Sequence, residues 1–88
     1  MDKHLDIFVF GRVQGVGFRI AAKQVADNLG IKGYAKNEGK FVIVEAEGTE
    51  EDLDNFIEWC NSGTDEAAVE RIDFKEGRIK SFREFSVI

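Results

Sequence analysis

Residues 5–30, LDIFVFGRVQGVGFRIAAKQVADNLG, change their period part-way along. In LDIFVF, Leu5, Ile7 and Val9 fall on one face of an extended chain and Phe8 and Phe10 on the other, so a strand with apolar groups on both faces is expected. From Phe18 onward the spacing is helical: Phe18, Ala22, Val25, Ala26 and Leu29 line one stripe. Asn28-Leu29-Gly30 supplies the stop, with Gly30 free to take the left-handed cap. Between strand and helix lies GRVQGVGFR, residues 11–19, which places three glycines close together and a fixed positive charge at the end.

Working outward, a short strand over Lys32 to Asn37 meets a second, KFVIVEAE, across a tight turn at Glu38-Gly39, and Val42, Val44 and Ala46 share one face of the second. Thr49 can cap a second helix whose first turn, Glu50, Glu51 and Asp52, complements the helix dipole. Leu53, Phe56, Ile57 and Cys60 form its buried stripe, and Gly63 ends it. Two further strands, AVERIDFK and REFSVI, are expected on either side of a turn around Gly77. The order is β-α-β-β-α-β with an extra C-terminal strand. Right-handed crossovers put both helices on one face of an antiparallel sheet, an α+β two-layer sandwich of the ferredoxin-like type. That architecture hosts enzymes, RNA binders and regulatory modules alike.

A chain of 88 residues closes around one core, so residues 1–88 are read as a single domain and a monomer. The apolar runs are strand-sized and the first residues lack a signal-peptide core, so no membrane association and a cytoplasmic address are expected. A single cysteine, Cys60, cannot form an internal disulfide. The net charge of −5 argues against a broad grip on nucleic acid, which calls for a basic face. Any anionic ligand must be captured locally.

The glycine loop can do that. A glycine-rich turn from a strand into a helix N-terminus points successive backbone N–H groups inward and forms an anion nest. It is not a P-loop, because no Lys-Ser or Lys-Thr follows, nor a dinucleotide fingerprint, whose third glycine is missing. Arg19 in the first helical turn opposes the helix dipole, at a cost of ~0.3–1 kcal/mol at an exposed site. Two readings of it stand: a surface arginine paired with an acidic residue, or a guanidinium fork that shares an anion with the nest.

These residues resemble the acylphosphatase family. Val9 to Arg19 carry its first signature, Gly-x-Val-Gln-Gly-Val-x-Phe-Arg, at every fixed position, and Gly33-Tyr34-Ala35-Lys36-Asn37 meet the second, with Val42 and Gly48 following in the expected relation. The resemblance spans essentially the whole chain, although the turn after Asn37 is shorter than usual and the loop Asn61 to Ala67 lacks a common proline. It implies hydrolysis of an acyl phosphate to a carboxylate and inorganic phosphate, with phosphate also acting as a competitive inhibitor. The phosphoryl group is then held by Gln14, Gly15, Val16, Gly17, Phe18 and Arg19, and Asn37 orients the attacking water.

An acyl phosphate is a mixed anhydride with a good leaving group, so charge stabilisation and a placed water suffice. No metal or organic cofactor is expected: His4 stands alone near a terminus, Cys60 lies on an apolar helix face, and no Ser-His-Asp or Cys-His set is present. Asn37 keeps a second reading, because Asn-Glu-Gly is also good turn chemistry. Phe8, Phe10 and Phe41 raise the possibility of base stacking on an open sheet face, which the negative charge opposes. A module that binds phosphate or carboxylate without turnover is the alternative function.

Overall fold

The computed structural model describes residues 1–88. Strand β1 (Lys3–Arg12) runs into helix α1 (Phe18–Leu29), followed by β2 (Lys32–Glu38), β3 (Phe41–Gly48), helix α2 (Glu50–Ser62), β4 (Ala68–Gly77) and β5 (Phe85–Val87). The sheet order is β4-β1-β3-β2-β5. Neither helix is long and apolar enough to cross a membrane.

Alternation builds the core. Ile7 and Val9 of β1 lie opposite Val44 and Val42 of β3, and all four are fully buried beneath the helices. Phe18, Ala22 and Ala26 of α1 and Leu53, Phe56 and Cys60 of α2 close the layer from above. Phe56 meets the Phe85 ring edge-on at 6.0 Å, and truncating such a buried ring to alanine typically costs ~3–5 kcal/mol. Burial also pushes the Cys60 thiol up to about 12, so it stays neutral and inert.

The helix ends follow the local chemistry. At the C-terminus of α1 the Gly30 and Ile31 N–H groups return to the Asp27 and Ala26 carbonyls, a Schellman closure that seats Ile31 in the core. At the start of α2, Thr49 Oγ1 accepts from the Asp52 N–H at 3.2 Å, and three acidic residues fill the first turn.

Two expectations about turns are corrected. The hairpin pivots on Gly39-Lys40, one residue later than expected, because Glu38 still pairs with Phe41 and Gly39 takes a φ of 58°. Gly77 is not a turn between neighbouring strands. It ends β4 at one edge of the sheet, whereas β5 lies at the other edge, parallel to β2 with Gly33 opposite Phe85. The first four strands are antiparallel as expected, and β5 makes the sheet mixed. Residues 78–84 are therefore a strap that crosses the sheet face not covered by the helices. Gly77 lacks a side chain for a packing reason: a Cβ there would lie 2.9 Å from Cδ2 of the His4 ring.

Candidate active site

The bend that opens the site begins in β1. Register with β4 shifts between Phe10 and Gly11, and Gly11, at φ 126°, lies so close to β4 that a Cβ would meet the Ala68 carbonyl oxygen at 2.2 Å. This bulge turns the chain out of the sheet and into the loop. Val13, Val16 and Phe18 pin the loop by burial, and Phe18 also packs on Trp59 at 5.1 Å between ring centres. The Gln14 side chain holds the loop to the hairpin, donating through Nε2 to the Gly39 and Phe41 carbonyls at 2.9 Å each. Thr64 Oγ1 fixes the other side by donating to the Val16 carbonyl at 3.2 Å.

Between these anchors the backbone is left open. Gly17, the residue capping α1, is left-handed with φ 75° and has no side chain to cap with, and the first turn of α1 contains no acidic residue. The N–H groups of Gly15 through Ile20 donate to no protein acceptor. In α2 Thr49 caps the Asp52 N–H and three acidic side chains in the first turn complement the dipole, so the two helices of one small chain begin in opposite ways. Val13, Gly15, Gly17, Phe18, Arg19 and Ile20 line a pocket of about 150 Å³ at this end of α1.

Arg19 is half-buried at the pocket and forms no ion pair with any Asp or Glu, so the surface-pair reading of its charge does not hold. Its Nη1 donates instead to the main-chain oxygen of Ile88 at 2.6 Å. Ile88 in turn donates its N–H to the Ala35 carbonyl at 2.9 Å. One residue thus joins Arg19 to β2, two positions before Asn37.

Asn37 is not a turn residue. It lies within the ladder opposite Val42, on the helix-covered face shared with Ala35, and the turn comes after Glu38. It is not among the residues lining the 150 Å³ pocket. Its Oδ1 is buried and meets no protein donor. An unpartnered buried amide oxygen costs ~1–3 kcal/mol, so something other than stability accounts for its place.

Aromatic residues on the opposite face satisfy one another. Phe41 packs on Phe10 at 5.1 Å and Phe8 at 6.2 Å, and the Arg71 guanidinium lies 4.3 Å from the centre of the Phe10 ring.

The comparisons follow the same lines as this geometry. The acylphosphatase family model matches residues 5–87. The chain belongs to the acylphosphatase family. It is 44% identical over 85 residues to an acylphosphatase of Archaeoglobus fulgidus, covering 94% of each chain, and 42% identical to one from Ligilactobacillus salivarius, covering 97% of each. The crystal structure of acylphosphatase from Bacillus subtilis superposes with a TM-score of 0.95 at 36% identity, over 100% of this chain and 99% of that one. These full-length matches leave no observation in favour of a non-catalytic module.

Sequence reasoning missed a second polar centre. His4 is not alone: its ring, 1% exposed, lies on the open sheet face with Nδ1 2.7 Å from Glu47 Oε2 and Nε2 2.9 Å from Asp6 Oδ1 and 3.3 Å from Glu45 Oε1. The signal was present as His4-x-Asp6 and Glu45-x-Glu47, since alternate residues on paired strands share a face. Oxygen and imidazole donors of this kind suit a divalent ion, but the Lys80 ammonium already sits 2.7 Å from Glu45 Oε1. The group forms an ion-pair network. Tyr34 donates its hydroxyl to Glu45 Oε2. Burial, then the Glu45 hydrogen bond and charge, raise the phenol to about 12.

Proposed function

We propose that the chain hydrolyses acyl phosphates. The N–H groups of Gln14 to Arg19, with the Arg19 guanidinium, hold the phosphoryl oxygens, and the Asn37 amide orients the attacking water. Water adds to phosphorus as the bond to the bridging oxygen breaks, the carboxylate departs, and a phosphoryl oxygen takes the proton from water. No protein base is required, because the leaving carboxylate is stable as an anion and the nest neutralises charge on the phosphoryl group.

The observation that carries this reading is the open start of α1: free N–H groups, glycines in place of capping side chains, and an arginine paired with no Asp or Glu side chain. The dipole and donors favour an anion there, and the guanidinium fork matches two oxygens of a phosphate. The unpartnered Oδ1 of Asn37 supports its role, since a water proton would satisfy it. The reading includes a metal-free reaction by a single chain in the cytoplasm. Its test is phosphate release from a simple acyl phosphate against a no-protein control, with EDTA leaving the rate unchanged and inorganic phosphate competing with substrate. No release above the control would overturn it.

A further inference from the structure

The strap of residues 78–84 is fastened to the sheet chiefly by one carboxylate. Glu47, 4% exposed, accepts the Lys80 N–H on Oε2 at 2.6 Å and the Phe82 N–H on Oε1 at 3.1 Å. The same Oε2 receives His4 Nδ1 at 2.7 Å. Phe82 then covers the imidazole, stacked at 6.2 Å and 23°, and meets Tyr34 edge-on at 5.9 Å. Beyond Phe82 the Glu84 carbonyl accepts the Gly33 N–H at 2.9 Å, β5 pairs with β2, and Ile88 reaches Arg19. With only three residues, β5 has little pairing of its own, so the strap's anchor helps to decide where Ile88 sits.

Both ring nitrogens of His4 face carboxylates, an arrangement only the imidazolium satisfies, because a neutral ring has one donor and turns a lone pair toward the other acid. We propose that His4 and Glu47 are positioning residues that form a proton-held latch, fastening the strap and thereby setting the place of Ile88 against Arg19. The proposal rests on the catalytic reading of Arg19 for its effect on turnover, but the latch itself does not.

The charges around the latch agree on the sign. Asp6 on β1 and Glu45 and Glu47 on β3 face the ring, and Lys80 of the strap pairs with Glu45. Tyr34 and Lys32 of β2 share the face opposite Glu45 and Glu47, and Lys75 of β4 lies opposite Asp6. Burial by itself lowers the basicity of His4, but hydrogen bonds and charge from Asp6 and Glu47 outweigh it, so the proton is held above the ordinary 6.5. Burial opposes ionisation of Glu47 as well, and the Lys80 N–H, His4 and the Phe82 N–H together hold its carboxyl below the usual range. The latch is closed between these limits and opens as pH rises through the His4 value, when one ring nitrogen loses its donor.

The experiment is an NMR titration of the phosphate-free protein from about pH 6 to about pH 10, across the range where a raised histidine titrates, followed by inorganic phosphate binding at both ends. The amide resonances of Lys80, Phe82 and Ile88 and the Nε resonance of Arg19 should move with the midpoint of the His4 ring. Phosphate should bind roughly fivefold more weakly at the alkaline end, the low range of couplings between sites. In His4→Gln and Glu47→Gln the shared midpoint should vanish. The kcat/KM of the wild type should show an alkaline step that His4→Gln lacks. Lys80, Phe82 or Arg19 signals that ignore the His4 titration would overturn the latch, and the wild-type titration decides this even should a variant fail to fold. A chain that shows the coupled titration but no turnover at any pH would refute the catalytic reading and leave the latch standing.

Discussion

Arg19 and Ile88, sixty-nine positions apart, are joined by a 2.6 Å hydrogen bond from Nη1 to the Ile88 main-chain oxygen, and no Asp or Glu side chain pairs with the guanidinium. This contact orients the fork beside the glycine loop, where an anion can share it.

This geometry predicts that Arg19→Lys will not restore the activity lost in Arg19→Ala. Lysine keeps the charge but offers a single ammonium on a flexible stem, which cannot hold the Ile88 oxygen and two phosphoryl oxygens in one plane. Steady-state rates for the three proteins on one acyl phosphate check it. Near-parental turnover in the lysine variant would show that charge alone suffices.

Asn37→Ala should lower kcat roughly a hundred- to thousandfold, by analogy with loss of a transition-state hydrogen-bonding group worth ~2.7–4 kcal/mol. Phosphate affinity should remain close to the parent. Because Oδ1 is buried without a protein donor, the variant should also melt no lower than the parent. The measurements are kcat, the inhibition constant for phosphate, and Tm. A clear fall in Tm with nearly full kcat would contradict the water-orienting role.

Two loop glycines should separate fold from site. A Cβ at Gly17 meets nothing within 4 Å, so Gly17→Ala should cost only the ~1–2 kcal/mol of a left-handed non-glycine residue while placing a methyl at the pocket rim and weakening phosphate binding. At Gly11 a Cβ would run into the Ala68 and Glu70 backbone at 2.2 and 2.7 Å. Gly11→Ala must therefore move β4 or lose the bulge, and its Tm should fall well below that of Gly17→Ala. Thermal unfolding with phosphate titration distinguishes them, and equal Tm values would contradict the close approach of β4.

Stability should decline on the alkaline side. The folded-state pKa of His4 lies above its unfolded value, so its contribution is fully present below about 6.5 and is lost as pH rises through the folded value. Glu47 has the opposite sign: its folded pKa is lowered, and its contribution is lost only as pH falls through that lowered value. Tm measured against pH should slope downward above neutrality, and His4→Gln should flatten that slope. An unchanged slope in the variant would assign the alkaline loss to other groups.

Much of the architecture and half of the site were legible in the sequence because they are local. The change from period two to helical spacing at Phe18, the cap at Thr49 and the stop at Gly30 depend on residues a few positions apart, and the structure has each where the sequence places it. The glycine loop was legible for the same reason, since left-handed φ values and a missing capping side chain are properties of the residues themselves. Tertiary structure decided the rest. REFSVI contains nothing that selects the far edge of the sheet over a hairpin with β4; β5 goes there because Glu47, 33 positions before Lys80 and 35 before Phe82, accepts the strap's N–H groups and Phe85 fills the core beneath the helices. Asn37 could be read as a turn residue until pairing with Val42 put it inside the ladder. His4 was legible as one histidine, but its partners come from Asp6, Glu45 and Glu47 only after β1 and β3 pair in this register. A shift of one residue would send those side chains to the opposite face, so the ionic centre exists only once the sheet has formed.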